Sequence, residues 1–149
     1  MVEPAAVTRV LLVHDYAGER GGGEVLMHSM RAALRSRGID ARLMASSADP
    51  AGPGSAADYV FRGSTGSLRA LRETVNLDAV RVARHVLETF DPQVVHLGMF
   101  LTQASPAILP VFRSRPVIWV PNEYRPTCPR GNRLLPEGRP CPYPAGMAC

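Results

Sequence analysis

The sequence predicts an α/β protein: a Rossmann-like parallel sheet of about five strands with helices on both faces. Three observations carry that expectation. Short, apolar, β-branched runs recur at residues 7–14, 40–46, 59–61, 93–98 and 116–121. Between them lie stretches whose apolar residues fall at helical spacing. The first run leads directly into a glycine-rich loop that opens a helix, "HDYAGERGGGE". Repeated strand–helix–strand connections are right-handed and make a parallel sheet, here in the expected order 3-2-1-4-5.

Each element has its own signal. "VTRVLLVH" is continuously apolar rather than alternating, as expected for a strand covered on both faces. Residues 24–37 place Val25, Leu26, Met30, Ala33 and Leu34 toward one side, with Arg31, Arg35 and Arg37 on the other. Basic residues suit the negative end of that helix, and Gly38 suits its C-terminal turn. "DARLMAS" is the second strand, "SSADPAGPGSAAD" a loop rich in Gly, Pro, Ser and Asp, and "YVF" a short third strand. Leu68 and Leu71 begin one helical pattern. Leu77, Val80, Ala83, Val86, Leu87 and Phe90 carry a longer one, closed by Asp91-Pro92. "QVVHLG" is the fourth strand, "SPAILPVFRSR" a short helix with Pro106 in its first turn, and "PVIWVP" the fifth strand. The expected domain therefore covers residues 1–121. Residues 122–149 are irregular, rich in Pro, Gly and Cys, and without any period.

With 149 residues, the chain is long enough for one domain with a real core. Its 46% hydrophobic and 20% charged content is that of an ordinary globular protein. The net charge of +4 comes from 17 arginines and no lysine, and it favours anionic partners. The charge is spread out, so nucleic acid is not an expected partner. No run approaches the ~18 apolar residues of a membrane span, and Glu3 stands where a secretory leader is positive. The expected location is cytoplasmic, with reduced thiols.

In such a sheet, ligands bind beyond the carboxyl ends of the strands, where the strand order reverses. That point lies between the first and fourth strands, so residues 15–23, 98–105 and 121–124 should line one crevice. The candidate binding residues there are His14, Asp15, Gly21, Gly22, Gly23, Glu24, His96, Met99 and Tyr124. The three glycines have two readings. They bring unhindered N–H groups to a helix N-terminus, where an anion is favoured, or they simply permit the turn. His96 is likewise either a ligand contact or a core histidine. The pattern is neither G-x-G-x-x-G nor a P-loop, for there is no lysine. Cys128, Cys141 and Cys149 lack the paired spacing of a zinc site, so no metal is expected.

Several stretches together resemble the opening domain of the retaining GT-B glycosyltransferases of family 4. They are "RVLLVHDYAGERGGGEVLMHSMRAALRSRGIDARL", "FDPQVVHLGMF", "SPAILPVFRSRPVIWV" and "CPRGNRLLPEGRPCPYPAGMAC". The last is similar to a cysteine-bearing loop of that family. The resemblance implies one half of a GT-B fold: an acceptor-side lobe whose glycine-rich loop, here Gly21, Gly22 and Gly23, contacts the diphosphate of a nucleotide-sugar. No cofactor is implied beyond that donor. The family often has His-Asp after the fifth strand; Asn122 and Glu123 hold those positions here and are the candidate catalytic residues. Ile39 stands where the family has His, and no Glu-x7-Glu pair of the donor lobe occurs.

The expected function is thus that of the N-terminal domain of a retaining, sugar-nucleotide-dependent glycosyltransferase, incomplete at its C-terminus. It acts on a sugar or lipid-linked acceptor with a donor lobe or partner chain. The alternative is a non-catalytic module binding sugar or anionic lipid, or a truncated relic of such an enzyme. Arg69, Arg72, Arg81 and Arg84 would make peripheral contact with the inner membrane face, or else form a solvated helix face.

Overall fold

A computed structural model of the chain describes residues 6–18, 21–48, 56–64, 66, 73–128 and 130–144. It contains five parallel strands: β1 (Arg9–Val13), β2 (Asp40–Ser46), β3 (Tyr59–Phe61), β4 (Val94–Leu97) and β5 (Val117–Trp119). Their order is β3-β2-β1-β4-β5, so the sheet is Rossmann-like as the sequence predicts. Among the described residues the helices are α1 (Gly22–Arg35), α2 (Leu77–Thr89) and a 3-10 helix (Pro106–Ser114). The pattern beginning at Leu68 and Leu71 lies outside the described residues, as do Arg69, Arg72 and Cys149.

Right-handed crossovers explain why the helices divide between the two faces. The chain steps one way from β1 to β2 and the other way from β3 through β4 to β5. On the α1 face, Val10, Leu12, Leu43 and Ala45 of the sheet pack with Met27, Met30 and Leu34. On the opposite face, Leu11, Val13, Met44, Val95 and Leu97 meet Ala79, Val80, Ala83 and Val86 of α2, together with Ile108 and Phe112. Alternate residues of β1 therefore serve different layers, and both are apolar, as a doubly covered strand requires.

The helix faces differ from the sequence expectation in phase. The inward residues of α1 are Glu24, Met27, Met30 and Leu34, while Val25, Leu26 and Ala33 face solvent. Arg31 turns inward and pairs with Asp58 at 2.6 Å. The phase is set where the helix starts: Glu24 and Met27 are drawn under the loop, and the 3.6-residue period fixes the rest. In α2, Leu77 is exposed because the N-cap comes one residue earlier, where the Asn76 side chain accepts from the N–H groups of Asp78 and Ala79. Gly38 follows the C-cap, Ser36, in the left-handed region (φ +79°), ending α1 tightly before β2. The segment after β4 is a 3-10 helix, with Pro106 in its first turn and Pro110 inside; neither proline has an N–H to donate to a regular α-helical ladder.

β5 forms an edge of the sheet. Val117, Ile118 and Trp119 are 41, 52 and 43% exposed, although Trp119 makes an edge-on contact with Phe100 at 5.5 Å. An apolar strand exposed along its whole length contrasts with β1, which is buried from Val10 to Val13.

Candidate functional site

The carboxyl ends of β1 and β4 meet the N-terminus of α1, and Asp15 organises the meeting. Its backbone N–H donates to the Met99 carbonyl at 2.6 Å, and its carbonyl accepts from Ser46 N–H. Its carboxylate is fully buried. One oxygen accepts from Thr102 N–H (2.9 Å) and Thr102 Oγ1 (2.7 Å); the other accepts from the N–H groups of Gln103 (2.8 Å) and Ala104 (3.0 Å). Both oxygens are engaged in shaping the loop after β4, so Asp15 holds the crevice together from beneath.

His14 is also fully buried. Its Nδ1 lies 3.1 Å from the Tyr16 carbonyl oxygen and 3.3 Å from Tyr16 N. Its Cδ2 edge packs on Gly98, where a Cβ would come within 2.7 Å. Nε2 lies between two glycines: a Cβ on Gly23 would be 3.4 Å from it, and 3.2 Å from Met99 Sδ, and a Cβ on Gly98 would be 3.5 Å from it. No described residue hydrogen-bonds this nitrogen. Burial pushes the His14 imidazole below its ordinary pKa, against the opposing pull of Glu24 and Asp15.

The three glycines are not equivalent. Gly21 caps α1 without any side-chain hydrogen bond, and a Cβ on it would stand 2.8 Å from a carboxylate oxygen of Glu24. Gly23 is hemmed in by Met99 and His14. Gly22 has open space where its Cβ would be and does not need positive φ. Packing against His14 and Met99 thus constrains Gly23, whereas Gly21, in extended backbone, meets only the end of the flexible Glu24 side chain and Gly22 meets nothing. Glu24 is buried with its carboxylate folded back over the start of its own helix, where negative charge is favourable. It shares the positive end of α1 with any incoming anion.

Glu123 comes near enough to Asp15 for their charges to interact. Desolvation, and then Asp15, push its carboxyl above the ordinary range, while Arg125, 3.8 Å away, pulls the other way. A raised carboxyl holds its proton more tightly folded than unfolded, so the folded state loses stability as pH rises through that window. Glu123→Gln is expected to raise the melting temperature at neutral pH and leave it unchanged well below pH 4.5. Paired thermal melts at the two pH values check this, and equal shifts at both would contradict it.

The structure therefore gathers His14, Asp15, Gly21, Gly22, Gly23, Glu24, Met99 and Glu123 at the crevice. Asn122, next to Glu123 in the chain, is exposed. Two candidates lie elsewhere. His96 sits on the α1 face of β4, lining an apolar groove with Val10, Met30, Val94 and Ile118, and burial lowers its pKa. Tyr124 is 55% exposed and belongs to the following loop, where its N–H donates to Gly131. Cys128 and Cys141 are free and half-buried in that loop. Among the described residues, no group of three or more potential ligands could hold a metal ion.

Sequence reasoning missed a buried polar belt beneath the crevice. Gln103 accepts from Ser64 N–H and donates to Tyr16 Oη and the Ser64 carbonyl. Asn76 donates to the carbonyls of Arg62 and Gln103. The one available signal was "LTQAS", a polar run amid apolar sequence.

The fold and crevice define a class: an α/β protein of Rossmann type with a glycine-lined lip at the reversal of strand order. No protein-family model matches the chain, and no curated protein matches it significantly. No helix among the described residues is long and apolar enough to cross a membrane.

Proposed function

We propose that this domain is the acceptor-side lobe of a retaining, sugar-nucleotide-dependent glycosyltransferase, with the glycine lip meeting the donor's diphosphate. One observation carries the reading. Gly22 is bare without any internal reason, at the uncapped N-terminus of a 14-residue helix, in the crevice where such folds bind ligands. The family resemblance of the surrounding motifs supports the same assignment. Amides fixed at a helix start can hold a leaving diphosphate without reorganising. The exposed Asn122 would hydrogen-bond a sugar hydroxyl, and Glu123 would face the reacting groups from the fifth-strand side. The donor is a substrate, and no metal is assigned. The anionic-lipid alternative gains little: Arg81, one of its four arginines, is paired with Asp78 at 2.6 Å.

Gly22→Ala separates ligand contact from turn chemistry. At this first helical position, alanine is expected to hold or raise stability, by up to about 0.5–1 kcal/mol. The new methyl should weaken binding of nucleotide-sugars by about tenfold or more through overlap with the ligand. Calorimetric titration with uridine- and guanosine-diphosphate sugars, beside thermal melts, measures both. Binding as tight as that of the unaltered protein would refute the lip as a contact.

A further inference from the structure

We infer that His14 supplies a side-chain donor to the lip: its Nε2–H, enclosed beside Gly23 in this structure, hydrogen-bonds a phosphoryl oxygen seated on the amides that open α1 when that ligand displaces the Met99 side chain packed on Gly23. This rests on the reading of the lip as an anion site and adds to it a residue, an atom and a protonation state. The backbone amides alone would be weak grounds, because every helix start offers them. The histidine is an independent observation. It is a fully buried polar side chain with one nitrogen unpartnered among the described residues, lying between the second residue of α1 and Gly98. Buried polar nitrogens are seldom left unpaired, since an unmade hydrogen bond in the interior is costly.

The ring has little freedom to turn elsewhere. Nδ1 is held by the Tyr16 backbone, and the Cδ2 edge lies against Gly98. What remains adjustable is the proton. With Nδ1 accepting from Tyr16 N–H, a neutral ring carries its proton on Nε2 and can donate toward the lip. With Nδ1 donating to the Tyr16 carbonyl, a neutral ring offers only a lone pair there. Tyr16 presents both groups at 3.3 and 3.1 Å, so the backbone accommodates either form and the ligand chooses. A phosphoryl oxygen has no proton to give to a lone pair and selects the Nε2–H form. Glu24 packs over Gly21 at the same helix start, and Met99 packs against Gly23. The same chemistry is found in a nucleoside diphosphate and in a phospholipid headgroup.

Nitrogen-15 NMR of the imidazole rings, during titration of the full chain with inorganic pyrophosphate, tests this. The His14 Nε2 resonance is expected to move to, or stay at, the protonated-nitrogen position and to shift with saturation together with the amides of Gly22 and Gly23. His14→Leu is expected to bind pyrophosphate about tenfold or more weakly, the scale of one hydrogen bond to a charged group. If that variant fails to fold, the ring spectrum of the unaltered protein decides. Parallel titrations with uridine diphosphate and with phosphatidylglycerol vesicles identify the source of the phosphoryl group, according to which one reproduces the shift. Movement of the lip amides with no change at His14 would overturn this inference and leave the proposed function standing. No response at either would remove both. A folded His14→Leu variant with undiminished affinity would also overturn it.

Discussion

Replacing Asp15 with alanine is expected to destabilise the domain by about 3–4 kcal/mol, because it strands buried donors that have no other acceptor among the described residues. The carboxylate accepts from three backbone N–H groups and one hydroxyl across 87 to 89 residues of chain. Truncation removes a charged acceptor and leaves the N–H groups of Thr102, Gln103 and Ala104 in a space the fold has closed to solvent. In a chain of this length, such a loss lowers the melting temperature by roughly 10 °C. Asp15→Asn should fall between the two, since the amide keeps one accepting oxygen but turns a donor toward donors. Urea titrations should show the midpoint falling with an unchanged slope. A loss below about 1 kcal/mol, the worth of a single ordinary hydrogen bond, would show that the carboxylate does not hold the crevice together.

Gly63→Ala is expected to destabilise by about 2–3 kcal/mol, the upper part of the range for overpacking. A Cβ there would overlap Ser46 Oγ and Gln103 Oε1 and would lie 2.6 Å from Ala48 Cβ. Neither oxygen can simply yield: Ser46 Oγ accepts from Ala48 N–H at 2.9 Å and Gln103 Oε1 from Ser64 N–H at 2.8 Å, in fully buried residues. The methyl must either break those bonds or push β2 and the loop after β4 apart. The same substitution at Gly22 meets nothing. Denaturant melts of the two variants side by side should separate them by more than 2 kcal/mol, on the difference between overpacking and open space. Equal stabilities would sink the account of why these glycines are present.

These two glycines mark the limit of what can be read along the chain. Gly22 stands in a run whose position, between an apolar strand and a helix, is a recognisable pattern. Gly63 stands in "FRGSTG", where nothing local distinguishes it from a flexible turn. Its necessity comes from Ser46 and Gln103, which lie 17 and 40 positions away. Asp15 shows the same limit from the other side. Its place at the end of β1 marked it for the crevice, but its donors come from the loop after β4, and only their number reveals a structural task. His96 follows suit: a histidine in an apolar strand carries no sign of its face, which is settled by register, here opposite Leu12 and Ile118.

The sequence alone determined the five strands, their order, and the places of α1 and α2 between them; the helical pattern at Leu68 and Leu71 lies outside the described residues. Strand runs of three to seven residues and helices of about fourteen are set by local apolar periodicity and by their end signals, which neighbouring residues carry. The handedness of crossovers then leaves little choice of topology. Tertiary structure decided the rotation of α1 about its axis, the partners of Asp15 and Gln103, the exposure of β5, and which nitrogen of His14 faces the lip. Each of these depends on groups brought together across tens of residues, and a hydrogen bond or a steric contact is satisfied in space whatever the distance along the chain.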